Sequence, residues 1–401
     1  MNKAAQYPCF VRRRQTVQAA TSPLVSFTGQ GSTPVGRGNP LSRSIALPGM
    51  LVRMASTRRA PATFQPDYRW ADYDDEALLD LRFSSLGLKF RGSPLWYEVE
   101  QLHDEFERRG LRFKPHVWLS TEWFSPDGIP GFAVPFYLAH PRLQQLERRM
   151  MGEVEGGNRK WRQRIMRHES GHAIDNAYRL RRRASWRRIF GRASAPYPDS
   201  YSPRPSSRRH VLHLGHWYAQ SHPTEDFAET FAVWLQPKAR WRRDYADWPA
   251  LKKLQYVDEL MDEIADTRPR QHGRSVIEPL RQVDHTLGEH YRLKQERYGG
   301  KERRYDRWIT RVFVPRSRRP RAVRASRFVR EIEPQLRRLL VRRARLHPYY
   351  IDHAITLVKQ RSRQLDLVLR TPRRDAKRPV VRLHERIVLD ILKRNRENYA
   401  L

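Results

Sequence analysis

Residues 168–172 read His168-Glu169-Ser170-Gly171-His172, and the stretch around them has the composition of a helix. Two histidines four residues apart on a helix project from one face, one turn apart, so both imidazoles reach one tetrahedral Zn²⁺. Glu169 projects near the same point and suits a base acting on water. Gly171 costs about 1 kcal/mol relative to Ala inside a helix, which implies that something approaches the backbone closely there.

Working outward, the pattern predicts a helix over residues 159–183 carrying the motif. Residues 94–109 read as an amphipathic helix with Leu95, Val99, Leu102 and Phe106 on one face. His116 to Leu119 reads as a strand. Phe132 to Leu138 reads as another, placed at a sheet edge because Pro135 cannot donate to a ladder; an extended peptide could pair there. Residues 191–209 are rich in Pro, Ser and Arg and read as a loop. A helix is expected from about Pro223 to Gln236, with Pro223 in its first turn and Pro237 as its stop. Another is expected over 249–266.

Two histidines are half of a catalytic zinc site, which needs a third protein ligand and an open position. Between Pro223 and Leu235, Phe227, Phe231 and Trp234 form one apolar face. Glu225 and Glu229 share another with Ala228, Ala232 and Val233. A helix apolar on most sides is buried, and buried carboxylates are costly unless paired or bound to a cation. Glu225 is therefore assigned as third ligand. Glu229 is assigned as acceptor for the N–H of a ligand histidine, with Asp175 as another candidate for that task. His210, His213, His216 and His222 crowd the same region, and His216 is the rival ligand.

The remainder of the chain differs sharply. The 401 residues carry 78 Lys and Arg against 43 Asp and Glu, a net charge of +35. Such a balance attracts nucleic acid, anionic surfaces or acidic proteins and says nothing about fold. Cys9 stands alone, which excludes a disulfide framework and a cysteine zinc ribbon. No apolar run is long enough for a membrane span. Residues 1–66 hold nine Lys or Arg and no acid, and read as a disordered leader rather than a targeting peptide, with Met54 as an alternative start. Residues 67–266 read as the folded catalytic region. Residues 267–401 read as a basic helical region, with apolar periodicity at Ile332, Leu336, Leu339 and Leu340, from Ile351 to Leu369, and from Val381 to Leu392. The expected location is the cytoplasm.

His168 to Asp175, together with Tyr218 and the run Glu225-Asp-Phe-Ala-Glu229, resembles the gluzincin metallopeptidases, in which H-E-x-x-H is completed by a Glu on a following helix. More narrowly it resembles the anthrax-lethal-factor-like peptidases and the bacterial family named Putative zinc-binding metallopeptidase. In the lethal-factor group a Tyr seven residues before the ligand Glu stabilises the oxyanion, and Tyr218 stands seven before Glu225. The resemblance covers roughly residues 110–260. Some members carry an N-terminal zinc ribbon, for which this chain has no cysteines.

The resemblance implies an α+β zincin-like peptidase domain, and the periodicity and charge of residues 267–401 add a helical, Arg-rich extension after it. It implies one Zn²⁺ held by His168, His172 and Glu225, with Glu169 as general base, Tyr218 as oxyanion donor, and a peptide or protein as substrate. The alternative is a basic protein that binds nucleic acid or an acidic partner and carries a non-catalytic zinc site. The intact Glu169 weighs against it, because a structural site needs no carboxylic acid there. The basic C-terminal region is expected to contact anions weakly and without sequence preference.

Overall fold

The computed structural model describes residues 67–400 except 92, 199, 202, 206, 345–347 and 394–398. The leader expected over 1–66 lies outside the described residues. In chain order the elements are α1 (Asp75–Leu79), α2 (Pro94–Arg108), β1 (His116–Ser120), β2 (Gly131–Pro135), α3 (Pro141–Met151), α4 (Arg159–Tyr178), α5 (Ala184–Phe190), β3 (Ser200–Tyr201), α6 (Pro223–Leu235), α7 (Trp241–Asp244) and α8 (Leu251–Ile264). There follow α9 (Leu287–Glu302), α10 (Asp306–Val312), β4 (Phe313–Pro315), α11 (Ala325–Ala344), α12 (Pro348–Gln364), β5 (Leu367–Leu369), α13 (Arg373–Lys393) and β6 (Tyr399–Ala400). Helix dominates, and among the described residues the strands form three two-stranded sheets. No helix is long and apolar enough to cross a membrane among the described residues.

Helix α4 is the axis of the larger core. Asn158 caps it by accepting from the Trp161 N–H. It ends at Tyr178 rather than at 183, because Arg179 turns left-handed at φ 54° and a short 3-10 turn, Leu180–Arg182, follows. Every residue from His168 to Tyr178 is buried. On one side lies α2, whose Leu95, Val99, Leu102 and Phe106 are buried as its periodicity requires. Two forked ion pairs tie the helices: Arg162 to both oxygens of Glu98 at 3.0 and 2.6 Å, and Arg167 to both of Glu105 at 2.7 Å. Planar guanidinium–carboxylate pairs fix orientation as well as distance.

On the other side lies α6, buried from Thr224 to Leu235. The close approach implied by Gly171 is found here. A Cβ placed on Gly171 would stand 2.7 Å from Ala228 Cα and 3.1 Å from its carbonyl oxygen. The two helices meet backbone to backbone because neither carries a larger side chain at that point.

Strands β1 and β2 pair in parallel, Trp118 opposite Ala133. Strand β2 does not offer the open edge expected of residues 132–138. It spans only Gly131–Pro135, is wholly buried, and gives way to a 3-10 turn over Phe136–Ala139. Its outer side is held by residues 124–125: the Ala133 N–H donates to Phe124 O at 2.8 Å, and Ser125 Oγ donates to Gly131 O at 2.9 Å. Strand β1 is covered as well, since Trp118 Nε1 and Ser120 Oγ donate to the carbonyls of Ile277 and Glu278, and His116 Nε2 meets that of Ser275.

Apolar residues from Trp70 to Tyr291 form the larger core, and a second cluster gathers Tyr305 to Ile391 from α10 to α13. The apolar run read as continuing to Leu369 breaks after Gln364, and Leu367–Leu369 pairs antiparallel with β4. The arginines at 316, 318, 319, 321, 324, 327 and 330 are exposed, the ordinary place for such a run. Gln364 donates from Nε2 to Met151 O at 3.0 Å and so joins α12 to the end of α3.

Candidate metal centre

One turn of α4 separates His168 from His172, and both rings face α6. His168 Nε2 lies 3.0 Å from Glu225 Oε2, His172 Nε2 lies 3.1 Å from the same oxygen, and the two nitrogens are 3.2 Å apart. All three residues are buried. They are the one cluster of candidate metal ligands among the described residues. His216, the rival, is outside it; its ring faces His353 with centroids 5.6 Å apart.

The donor set fits a cation. Glu229 Oε1 lies 2.8 Å from His168 Nδ1 and accepts that N–H, which leaves a lone pair on Nε2. That lone pair faces a carboxylate oxygen and a second imidazole nitrogen. Acceptors gathered this tightly repel one another unless a proton or a metal lies between them. Without a metal, burial opposes charging His168, but its hydrogen bonds to Glu225 and Glu229 outweigh it and draw the imidazole pKa up to about 10. The proton so demanded stands where a metal would. Burial likewise works to raise the Glu225 carboxyl, and the imidazoles beside it reverse this, holding it well below the usual carboxylate range. Two imidazoles and a carboxylate form a donor set that suits Zn²⁺ and leaves a fourth position open.

Glu169 is completely buried, and neither of its carboxylate oxygens has a hydrogen-bond partner among the described residues. Burial pushes its pKa up to about 8. Such a group is costly in a fold that makes no use of it.

Tyr218 begins a 3-10 turn, its ring 5.5 Å from that of His168. The two residues before it, His216 and Trp217, are both left-handed at φ 58° and 54°. Neither is a glycine, so each costs on the order of 1 kcal/mol or more. The strain is held by neighbours. Tyr201 donates its hydroxyl to His216 O at 2.9 Å, and Leu214 donates its N–H to Glu229 Oε2 at 2.8 Å. Glu229 thus fixes His168 with one oxygen and the loop leading to Tyr218 with the other.

Asp175 does not meet either imidazole. It accepts from the Arg181 backbone N–H at 2.8 Å and from the Arg181 guanidinium. Arg181 also reaches Asp127 at 2.9 Å, and Asn176 holds the same loop through the Pro126 and Ile129 carbonyls and the Gly128 N–H. A recess opens beside His172 and Glu225, walled by Ser125, Asp127, Arg181 and Tyr197. Tyr197 went unnoticed in the sequence, where it is one aromatic in a Pro- and Ser-rich loop with no spacing relation to the motif.

Residues 162–245 match the model of a family described as Putative zinc-binding metallo-peptidase. The matched segment holds most of α4, then α5, β3, α6 and α7 with their connections. No curated protein and no solved structure matches the chain.

Proposed function

We propose that this protein is a zinc-dependent peptidase of the zincin type, with His168, His172 and Glu225 as ligands of one Zn²⁺. The observation that carries the reading is the convergence of three buried acceptor atoms within 3.2 Å beside a buried, unpartnered Glu169. The family match over the same segment agrees with it. Bound there, zinc supplies a Lewis acid that polarises a carbonyl and makes water more acidic.

The chain's own groups do the rest. Glu169 takes a proton from the attacking water and later returns it to the leaving amine. Tyr218 donates a hydrogen bond to the oxyanion that develops on the scissile carbonyl. Glu229 holds His168 in the tautomer whose Nε2 lone pair faces the centre. The recess walled by Ser125, Asp127, Arg181 and Tyr197 has room for a water beside His172 and Glu225.

The test is zinc content and cleavage of a denatured protein or a peptide library. Wild type should hold one equivalent of zinc, and the His168→Ala, His172→Ala pair should hold none. Glu169→Gln should keep the metal and lose hydrolysis. A Glu169→Gln protein that cleaves as well as wild type would sink the mechanism.

A further inference from the structure

Glu225 uses its two carboxylate oxygens differently. Oε2 faces both imidazoles, while Oε1 accepts a hydrogen bond from the hydroxyl of Tyr197. The same hydroxyl meets Thr224 Oγ1. The Tyr197 ring lies flat against His222, with centroids 3.8 Å apart and planes 20° from parallel. His222 is itself fixed at both nitrogens. Nδ1 meets the Thr224 hydroxyl at 2.8 Å and accepts the Thr224 N–H at 3.2 Å, and Nε2 meets Ala195 O at 3.0 Å. The position of the phenol is therefore set by the stacked ring of the residue that caps α6 and not by the loop alone.

A tyrosine that merely pins a loop to a helix is common. The choice of acceptor argues for more here. Oε1 belongs to the one carboxylate placed against both histidines, and Glu225 is almost fully buried. A carboxylate that gives one oxygen to a metal must satisfy the other, since an unpartnered buried acceptor costs about 1–3 kcal/mol. A phenol donor on Oε1 meets that need. It also keeps the carboxylate from turning to present both oxygens, which would fill the position left for water.

We propose that Tyr197 is a positioning residue of the metal centre, holding Glu225 so that Oε2 alone faces the ion. This rests on the metal-site reading above. It assigns to a residue of the 191–209 loop a task distinct from that of Tyr218.

The experiment uses full-length protein with Tyr197→Phe, which keeps the ring on His222 and removes only the hydroxyl. Three quantities are measured: zinc affinity by competition with a chelating dye, the visible absorption of the Co²⁺-substituted protein, and thermal unfolding of the metal-free form. Partners of ligating groups are worth roughly 10–100-fold in metal affinity. The expected result is zinc bound at least about tenfold more weakly, an altered Co²⁺ spectrum, and unchanged unfolding of the metal-free protein. Should Tyr197→Phe fail to fold, His222→Asn keeps an acceptor at the start of α6 and removes the ring beneath Tyr197. It should shift zinc affinity and the Co²⁺ spectrum in the same direction. Zinc affinity and Co²⁺ spectrum equal to wild type in the variant that folds would overturn the proposal. So would a loss of affinity with an unaltered spectrum, which marks a structural tyrosine. Wild type that binds no zinc, or binds it without His168 and His172, would instead defeat the metal-site reading and this inference with it.

Discussion

Gly171 and Ala228 set the spacing of the two helices that carry His168, His172 and Glu225. A Cβ on Gly171 would stand 2.7 Å from Ala228 Cα, closer than real Cβ atoms come to backbone. The neighbour is main chain and cannot swing aside. Gly171→Ala gains about 1 kcal/mol in helix propensity and loses 1–3 kcal/mol or more to overpacking, so overpacking wins. The variant should melt below wild type. It should also bind zinc more weakly, because pushing α4 from α6 moves both histidines away from Glu225. Equal melting temperature and zinc affinity would show that the helices separate freely.

Glu229 is expected to matter without touching the metal. It accepts from His168 Nδ1 and from the Leu214 N–H. Glu229→Ala should lower zinc affinity by about 10–100-fold, as loss of a ligand's hydrogen-bond partner does. Tyr218→Phe should leave zinc content intact and slow turnover by on the order of a hundredfold, with little change in KM. Zinc loss in Tyr218→Phe would assign that tyrosine to the fold or the metal.

Stability should fall as the medium is acidified, partly through a residue of α13 that is not one of the candidate metal ligands. His384 in α13 is fully buried and donates from Nδ1 to Val380 O at 2.7 Å. Burial holds its pKa down to about 4, against an ordinary value of 6.5. Between these values the unfolded chain takes a proton that the folded one refuses. Stability present above the unfolded pKa is therefore lost as pH drops toward 4. By pH 5 the loss from this group is about 2 kcal/mol. His353, also held down to about 4 by burial, acts in the same direction. His384→Leu should show a shallower fall in denaturant midpoint between pH 7 and pH 5. An unchanged slope would place the acid sensitivity elsewhere.

The exposed arginines between residues 316 and 330 should bind polyanions weakly. Retention on heparin or duplex DNA should disappear at moderate salt, because such contacts gain mainly by releasing counterions. Reversing Arg318, Arg319 and Arg321 to Glu should weaken retention without altering zinc content. Binding that survives high salt, or prefers one DNA sequence, would reveal a specific interface on this face.

The sequence by itself determined the helix of His168 and His172, the buried helix of Glu225 and Glu229, and the need for close contact at Gly171. Each follows from short-range rules. Spacing of three and four residues puts side chains on one helical face, and an apolar helix bearing carboxylates must bury them against something that satisfies them. The amphipathic helix at 94–109 was legible for the same reason and ends at Arg108. Spatial relations between distant segments were not legible. That Asp175 serves Arg181 rather than an imidazole depends on the chain turning left-handed at Arg179. That β2 lacks an open edge depends on residues 124–125 folding back upon it. Tyr197 reaches Glu225 only because its loop is clamped on His222, a contact between irregular segments that no periodicity encodes. Local pattern reports which face of an element is buried; which side chain of another segment meets that face is decided when the chain packs.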